Sequence, residues 1–301
     1  MTERIAIIGA GLMGNGIAAV FASHGHSVRL HDPIAAALES VRSKVEGILN
    51  DIGEDPAAAK LVTTHVSLEE ALKDAEFVTE AAPEKLPLKQ DLFVRMAAAT
   101  GPDCILASNT SVIPITDIGA KLSDADAKRM LGTHWWNPPY LIPLVEVIQA
   151  QRTEVKFVER CIDILKRAGK HAVHVKKDVP GFVGNRLQHA LWREAISLVE
   201  SGVCDAETVD GVIKNSFGVR IAALAPLENA DLVGLDLTED IHKVILADLD
   251  RSQTPSKLLQ EKVKRGELGV KSGKGFYDWT PAKADEVRAR MLKHLRAALK
   301  R

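Results

Sequence analysis

Residues 132–147 read GTHWWNPPYLIPLVEV. They hold a histidine, His134, and then a lone acid, Glu146, inside the apolar run LVEVI. A carboxylate placed in an apolar strand needs a partner, because an unpaired buried charge is strongly disfavoured. An imidazole that donates one N–H to a carboxylate is fixed in one tautomer, and the imidazolium formed on proton uptake is supported by the negative charge. His134 and Glu146 can therefore form a general base. Spacing alone fits a satisfied core histidine and a sheet-edge charge better than a general base, so the pair has to be judged in its setting.

A second group of residues has a sharper meaning. GAGLMG supplies Gly9, Gly11 and Gly14, with Leu12 and Met13 between them, directly after the apolar run RIAII. Two glycines permit a tight turn and close backbone approach to a pyrophosphate, and the third permits strand–helix packing. The helix that starts here offers free N–H groups and a partial positive charge. The next apolar run, SVRLHD, ends in Asp32, an acid suited to both hydroxyls of an adenosine ribose and repulsive to a 2′-phosphate. Pro33 follows it, not arginine. The expected cofactor is NAD in preference to NADP.

These residues need a scaffold. Apolar runs at 4–8, 27–32, 77–81, 104–108, 131–135, 144–148 and 172–176 read as strands. A long helix after Asp32 to about Asn50, and helical patterns at 87–98 and 154–168, separate several of them. A short helix fits 114–119, where SNTS can cap it. Strand–helix alternation predicts a mainly parallel α/β sheet of Rossmann type. After DVPGF the strand signals fade, and 184–202, 205–215, 237–249 and 256–265 read as helices. The expected organisation is a dinucleotide-binding domain over 1–180 and an all-helical domain over 181–301. Leu187, Leu191, Ile196 and Val199 give its first helix an apolar stripe fit for a core or a dimer face.

Bulk properties narrow the class. The chain has 301 residues, 46% hydrophobic and 26% charged, with a formal net charge of −1. Near-neutrality gives no footprint for nucleic acid or an anionic membrane. No apolar run approaches the length of a membrane span. The first strand begins so early that a secretory leader is not expected. Cys104, Cys161 and Cys204 form no CxxC pattern, which fits a reducing cytoplasm and no metal site.

The chain resembles the L-3-hydroxyacyl-CoA dehydrogenase family over essentially its whole length. The resemblance rests on GAGLMGNGIA, EAAPEKLPLKQDLF (80–93), ASNTS (107–111), the HWWNP motif followed by LVEVI, DVPGFVGNRL (178–187), ADLVGLD (230–236) and KSGKGFYDW (271–279). It implies an NAD-dependent dehydrogenase in which His134 is the base and Glu146 its partner. It also implies that Ser111 helps hold the substrate oxygen and that Asn137 and Asn185 complete the catalytic set. Further cofactor contacts are implied for Glu84, Lys89, Asn109, Ser111 and Lys274. A homodimer formed through the helical domain is implied as well. Without the resemblance, Glu84 and Lys89 read as a solvated helix start, and Trp135 and Trp136 read as packing.

Three features depart from the acyl-CoA members. The family's usual Phe-Phe-Asn-Pro-Val-Pro is here WWNPPYLIP, closer to relatives acting on free acids, such as L-gulonate and carnitine dehydrogenases. The helix that carries lysines toward the CoA phosphates in acyl-CoA members ends here in ILNDIGEDPAAA, with Asp51, Glu54 and Asp55. An acidic end repels a phosphate-rich handle. Arg220 occupies a position where the free-acid branch also carries arginine, and a guanidinium grips a carboxylate bidentately. The expected substrate is therefore a small carboxylate, bound by Ser111, His134, Asn185 and Arg220 and bearing a hydroxyl in the 3-position or its equivalent. Three alternatives stay open: a 3-hydroxyacyl-CoA, a formyl or hydroxymethyl pyridine carboxylate stacked on Trp135, Trp136 or Tyr140, and a non-catalytic NAD-binding protein of crystallin type.

Overall fold

The structure is a computed structural model and describes residues 2–299. It falls into two compact units, Met1–Arg186 with Lys293–Arg301, and Leu187–Leu292. The division lies a few residues beyond the expected boundary near 180, and the end of the chain rejoins the first unit.

The first unit opens with β1 (Arg4–Ile8), α1 (Leu12–Ser23), β2 (Ser27–His31), α2 (Ala35–Leu38) and α3 (Val41–Ile52). A 3-10 turn at Pro56–Leu61 leads to β3 (Val62–His65), α4 (Leu68–Leu72), β4 (Phe77–Glu80) and α5 (Leu86–Ala99). Then come β5 (Ile105–Ser108), α6 (Ile115–Ile118), α7 (Asp124–Ala127), β6 (Met130–Trp135), β7 (Leu144–Ile148), α8 (Val155–Arg167) and β8 (His171–Val175). The strands form one eight-stranded sheet in the order β3-β2-β1-β4-β5-β6-β7-β8. All pairings are parallel except β6–β7.

Strand alternation sorts the core into two layers. Ile5 and Ile7 of β1 face a cluster built from α1, α3 and α8, with Phe21, Leu49 and Phe157. Ala6 and Ile8 face a cluster built from α4, α5 and α6, with Leu68, Phe93, Met96 and Ile115. The sheet is thus covered on both faces, as parallel strands require. The expected long helix after Asp32 is broken into α2 and α3, joined through Glu39 and Ser40. Strand β3 is an addition to the expected set, because VTTH carries exposed threonines and only one fully buried residue, too weak an apolar signal to read.

Helix α9 (Gly184–Glu200) begins in the first unit and continues into the second. The second unit adds α10 (Ala206–Asn215), α11 (Phe217–Arg220), α12 (Pro226–Val233), α13 (Leu235–Ile245) and α14 (Lys257–Lys264), and α15 (Pro281–Leu299) ends in the first. Helices α11, α12 and α15 go beyond the sequence expectation. Among the described residues no helix is long and apolar enough to cross a membrane.

Candidate active site

The glycine turn follows β1 as its sequence demands. Gly9 has φ +116° and its N–H donates to His31 O, and a Cβ there would lie 2.7 Å from Ala81 O. At Gly14 a Cβ would fall 1.8 Å from Gly9 O, so only glycine lets α1 approach the turn. Gly11 is different: a Cβ there would meet nothing within 4 Å. It caps α1 without any side-chain bond to the first-turn amides, and Leu12 beside it is exposed. Open space in front of uncapped helix amides fits a pyrophosphate. Asp32 stands at the end of β2, its carboxylate accepting from the Ala10 and Ile34 amides. The residues present therefore fit a dinucleotide. Sequence reasoning missed Asn15, whose carboxamide donates to Ala10 O and Gly11 O at 2.7 and 2.8 Å and braces the turn. Its signal was a polar residue directly after GxGxxG, buried on an otherwise apolar helix.

The His134–Glu146 pair is set by strand register. β6 and β7 are antiparallel, and His134 lies opposite Glu146. Both are buried, with His134 Nδ1 2.7 Å from Glu146 Oε2. The other carboxylate oxygen accepts from the Val183 and Gly184 amides, each at 3.0 Å. Those amides are turned inward because Gly181 and Phe182 both adopt positive φ, +74° and +51°. Phe182 pays for that strained backbone by burying its ring entirely, 5.6 Å from the His134 ring. Trp136 packs on the histidine at 5.2 Å between ring centres. Burial alone would raise the Glu146 carboxyl, but the His134 ring and the amides of Gly184 and Val183 outweigh it and hold the group below the ordinary carboxylate range. An ionised carboxylate only accepts, so Nδ1 carries the proton and Nε2 of the neutral ring is the free base.

A second polar network adjoins this one. Asn185 Nδ2 donates to Ser111 O at 2.8 Å. The Ser111 amide donates to Glu84 Oε1, which also accepts from Thr110 Oγ1 and the Val112 amide. Burial would raise the Glu84 carboxyl, but the Thr110 hydroxyl, Lys89 and the Ser111 amide together lower it. Lys89 is 1% exposed and pairs with Glu84 at 3.2 Å and with fully buried Glu80 at 2.7 Å. It is therefore no solvated helix start; its ammonium anchors two carboxylates from below the site. Glu80 also accepts from the Ala82 amide and Ser108 Oγ. Glu80, Ser108 and Thr110 belong to this hydrogen-bonded network and the sequence reading missed them, although an acid in the apolar run FVTE carried the same signal as Glu146. Asn109 accepts from the Trp135 amide at 2.9 Å and ties the end of β5 to the strand bearing His134.

The remaining candidates are not joined to this network by hydrogen bonds. Asn137 is exposed at the start of the β6–β7 loop. Arg220 and Lys274 belong to the second unit. Arg220 is exposed and lines a pocket of about 460 Å³ with Asn229, His242 and apolar side chains. Lys274 is exposed in a tight turn whose backbone bridges Gly269 and Asp278. At the end of α3, Asp51, Glu54 and Asp55 are exposed as expected, but Asp51 lies 3.5 Å from Arg296 and Asp55 caps the following 3-10 turn. Among the described residues no cluster fit to hold a metal ion occurs.

Comparison with known proteins matches both parts of the chain to one family. Residues 4–179 match the model of the 3-hydroxyacyl-CoA dehydrogenase NAD binding domain, and residues 181–279 match that of the 3-hydroxyacyl-CoA dehydrogenase C-terminal domain. The chain is 37% identical to the 5-formyl-3-hydroxy-2-methylpyridine 4-carboxylate 5-dehydrogenase of Mesorhizobium japonicum, over 98% of this chain and 96% of that one. It is 41% identical to the L-carnitine dehydrogenase of Streptomyces coelicolor, over 77% of this chain and 74% of that one. A crystal structure of a 5-formyl-3-hydroxy-2-methylpyridine 4-carboxylic acid 5-dehydrogenase, described as an NAD+ dependent dismutase, superposes with a TM-score of 0.91 at 36% identity. That match covers 100% of this chain and 98% of that one.

Proposed function

Because the chain belongs to the 3-hydroxyacyl-CoA dehydrogenase family and is an NAD-dependent dehydrogenase acting on CH–OH groups, we propose that its substrate is a small free carboxylate whose reacting carbon lies β to the carboxyl group or, on a ring, one bond further out. The observation that carries the chemistry is the buried 2.7 Å contact between His134 and Glu146. His134 Nε2 takes the hydroxyl proton, and Glu146 supports the positive ring that results. NAD supplies the acceptor for the hydride that leaves the same carbon. In this reading Ser111, whose amide donates to Glu84 and whose carbonyl accepts from Asn185, helps hold the substrate oxygen, and Asn137 and Asn185 complete the set. The intact polar network speaks against a purely structural NAD-binding role.

The free-acid assignment draws on the acidic end of α3 and on the exposed guanidinium of Arg220 in the second unit. Asp51 is partly neutralised by Arg296 and Asp55 caps the following turn, so Glu54 is the freest of the three acids opposing a CoA phosphate group. A pyridine carboxylate with an adjacent formyl or hydroxymethyl group sets its reacting carbon one bond further from the carboxyl group than a 3-hydroxy acid does, and full-length likeness to such an enzyme favours this form of the substrate. Free cysteines fit a cytoplasmic enzyme, and the second unit's exposed apolar side chains fit a homodimer.

The test is a panel of free 3-hydroxy acids, pyridine carboxylates and acyl-CoAs, followed by NADH absorbance. At least one free carboxylate should exceed every acyl-CoA in kcat/KM. Arg220→Met should lower that value roughly 10- to 150-fold, the loss of one charge-assisted contact. Preference for 3-hydroxybutyryl-CoA over every free acid, unchanged by Arg220→Met, would overturn the reading.

A further inference from the structure

Lys170, between α8 and β8, is 9% exposed, and among the described residues no carboxylate pairs with it. Buried lysines are ordinarily paired. This one instead donates from Nζ to two backbone carbonyls, Pro139 O at 2.5 Å and Ile142 O at 3.0 Å. Its ammonium also lies 5.5 Å from the centre of the Trp135 ring.

Those carbonyls belong to the loop 136–143 that joins β6 to β7. This loop closes the antiparallel pair in which His134 faces Glu146. Three of its residues are proline and offer no N–H. The Leu141 and Ile142 amides both turn back onto Pro138 O, and Pro143 O accepts from the His171 amide. Pro139 and Leu141 are buried, so carbonyls at this depth need donors from elsewhere in the fold. On its other side the loop packs against the cofactor helix: a Cβ at Gly16 would lie 2.5 Å from Pro139 Cγ. One ammonium thus secures the tip of the hairpin that carries both members of the proton-transfer pair, and that tip rests on α1.

We propose that Lys170 is a positioning residue, whose charged clasp on Pro139 and Ile142 holds the β6–β7 loop and through it the alignment of His134 with Glu146. The inference rests on the assignment of that pair as the base. Burial brings the Lys170 amine down to about 8, so the clasp loses its charge within the working range of a dehydrogenase. The charged and titratable groups around the adjoining cavity are His24 from the end of α1, Asp51 and Glu54 at the end of α3, Tyr140 of the loop and Arg296 of α15. His171 follows directly in the chain.

Three measurements test it. Lys170→Met, confirmed folded by circular dichroism, should lose kcat roughly 10- to 100-fold, the scale of a small misplacement of reacting groups. Lys170→Arg, which keeps the charge and the donors, should recover most of that loss, and its activity should persist to higher pH than that of the wild type. In the unaltered protein, hydrogen-exchange protection of the Leu141 and Ile142 amides should fall as pH rises through about 8. This last measurement needs no folded variant and does not depend on which residue is the base, so it separates failure of the clasp from failure of the His134 assignment. A folded Lys170→Met enzyme with wild-type kcat, an Arg variant whose pH profile superposes on the wild type's, or loop protection unchanged from pH 7 to 9.5 would each overturn the proposal.

Discussion

Each polar side chain at the centre of this site is specified by what it lacks. Glu146 sits where water cannot reach it, so its two oxygens are satisfied by one imidazole and two amides. That arrangement fixes which imidazole nitrogen is free. His134→Gln keeps a side chain of similar size but removes the base; turnover should fall roughly 100-fold or more, while NAD affinity measured by fluorescence stays near that of wild type. Near-normal kcat would remove His134 from the mechanism. Glu146→Gln tests the carboxylate through pH. The folded state holds the Glu146 carboxyl below its ordinary value, so the folded chain binds fewer protons there than the unfolded one. The stabilisation is therefore complete above the usual glutamate range and is lost as pH falls through the lowered folded value. The gap in Tm between wild type and Glu146→Gln should be constant from pH 7 down to about 5 and should close below that. A gap that widens on acidification would mean that the group is not held ionised.

Elements deliver these residues to one place, and the sequence revealed some deliveries better than others. The glycine turn and Asp32 were legible because each depends on local spacing, a turn and a strand end, whereas the His134–Glu146 pair drew its reading from the surrounding motifs, since spacing alone favoured a core histidine and a sheet-edge charge. Glu80 and Lys89 were not. Their meaning appears only when β4, α5 and β5 stack and bury an ion pair that reads in sequence as a charged helix start. Strand β3 was lost for a similar reason, since its exposed threonines gain β structure from pairing with β2 rather than from their own pattern. The reversal of direction at β6–β7 was also hidden, because apolar runs carry no record of strand orientation. The start of α9 shows what the elements require of one another. A Cβ on Gly184 would lie 2.3 Å from the Trp136 ring, and that ring lies against His134. Gly184→Ala should therefore press the indole toward the imidazole. We expect a loss of about 1–3 kcal/mol in stability, typical of overpacking, with a drop in kcat larger than any change in NAD affinity. Wild-type kcat in Gly184→Ala, measured beside its Tm, would show that α9 can shift without disturbing the base.

At the scale of the whole molecule, the two units differ in how they bury apolar surface. The first has a covered sheet with two dense clusters. Among the described residues of the second, only Val209 and Ala284 are buried hydrophobics. Leu227, Val244, Val219 and Leu232 are each more than 70% exposed, and α13 presents Leu235, Leu237, Ile241, Val244 and Ile245 to solvent. Scattered exposed leucines are normal on a soluble protein, but a contiguous apolar face of this kind marks an interaction surface. A second copy of the chain is the economical occupant, because a two-fold interface lets the same helices cover each other. Such an interface resembles a core cut in half, so separated subunits would have little to hold the helical unit together. The expected outcome is a homodimer by light scattering at micromolar concentration, with a Tm that rises with protein concentration. Val244→Asp, placed at the most exposed residue of the α13 stripe, near the C-terminal end of the helix, should shift the population toward monomer and lower the Tm. It should leave NAD binding by the first unit measurable, since the glycine turn and Asp32 lie wholly within that unit. A wild-type monomer with concentration-independent Tm would show that these helices are stable with their apolar faces in water, and the homodimer would have to be abandoned.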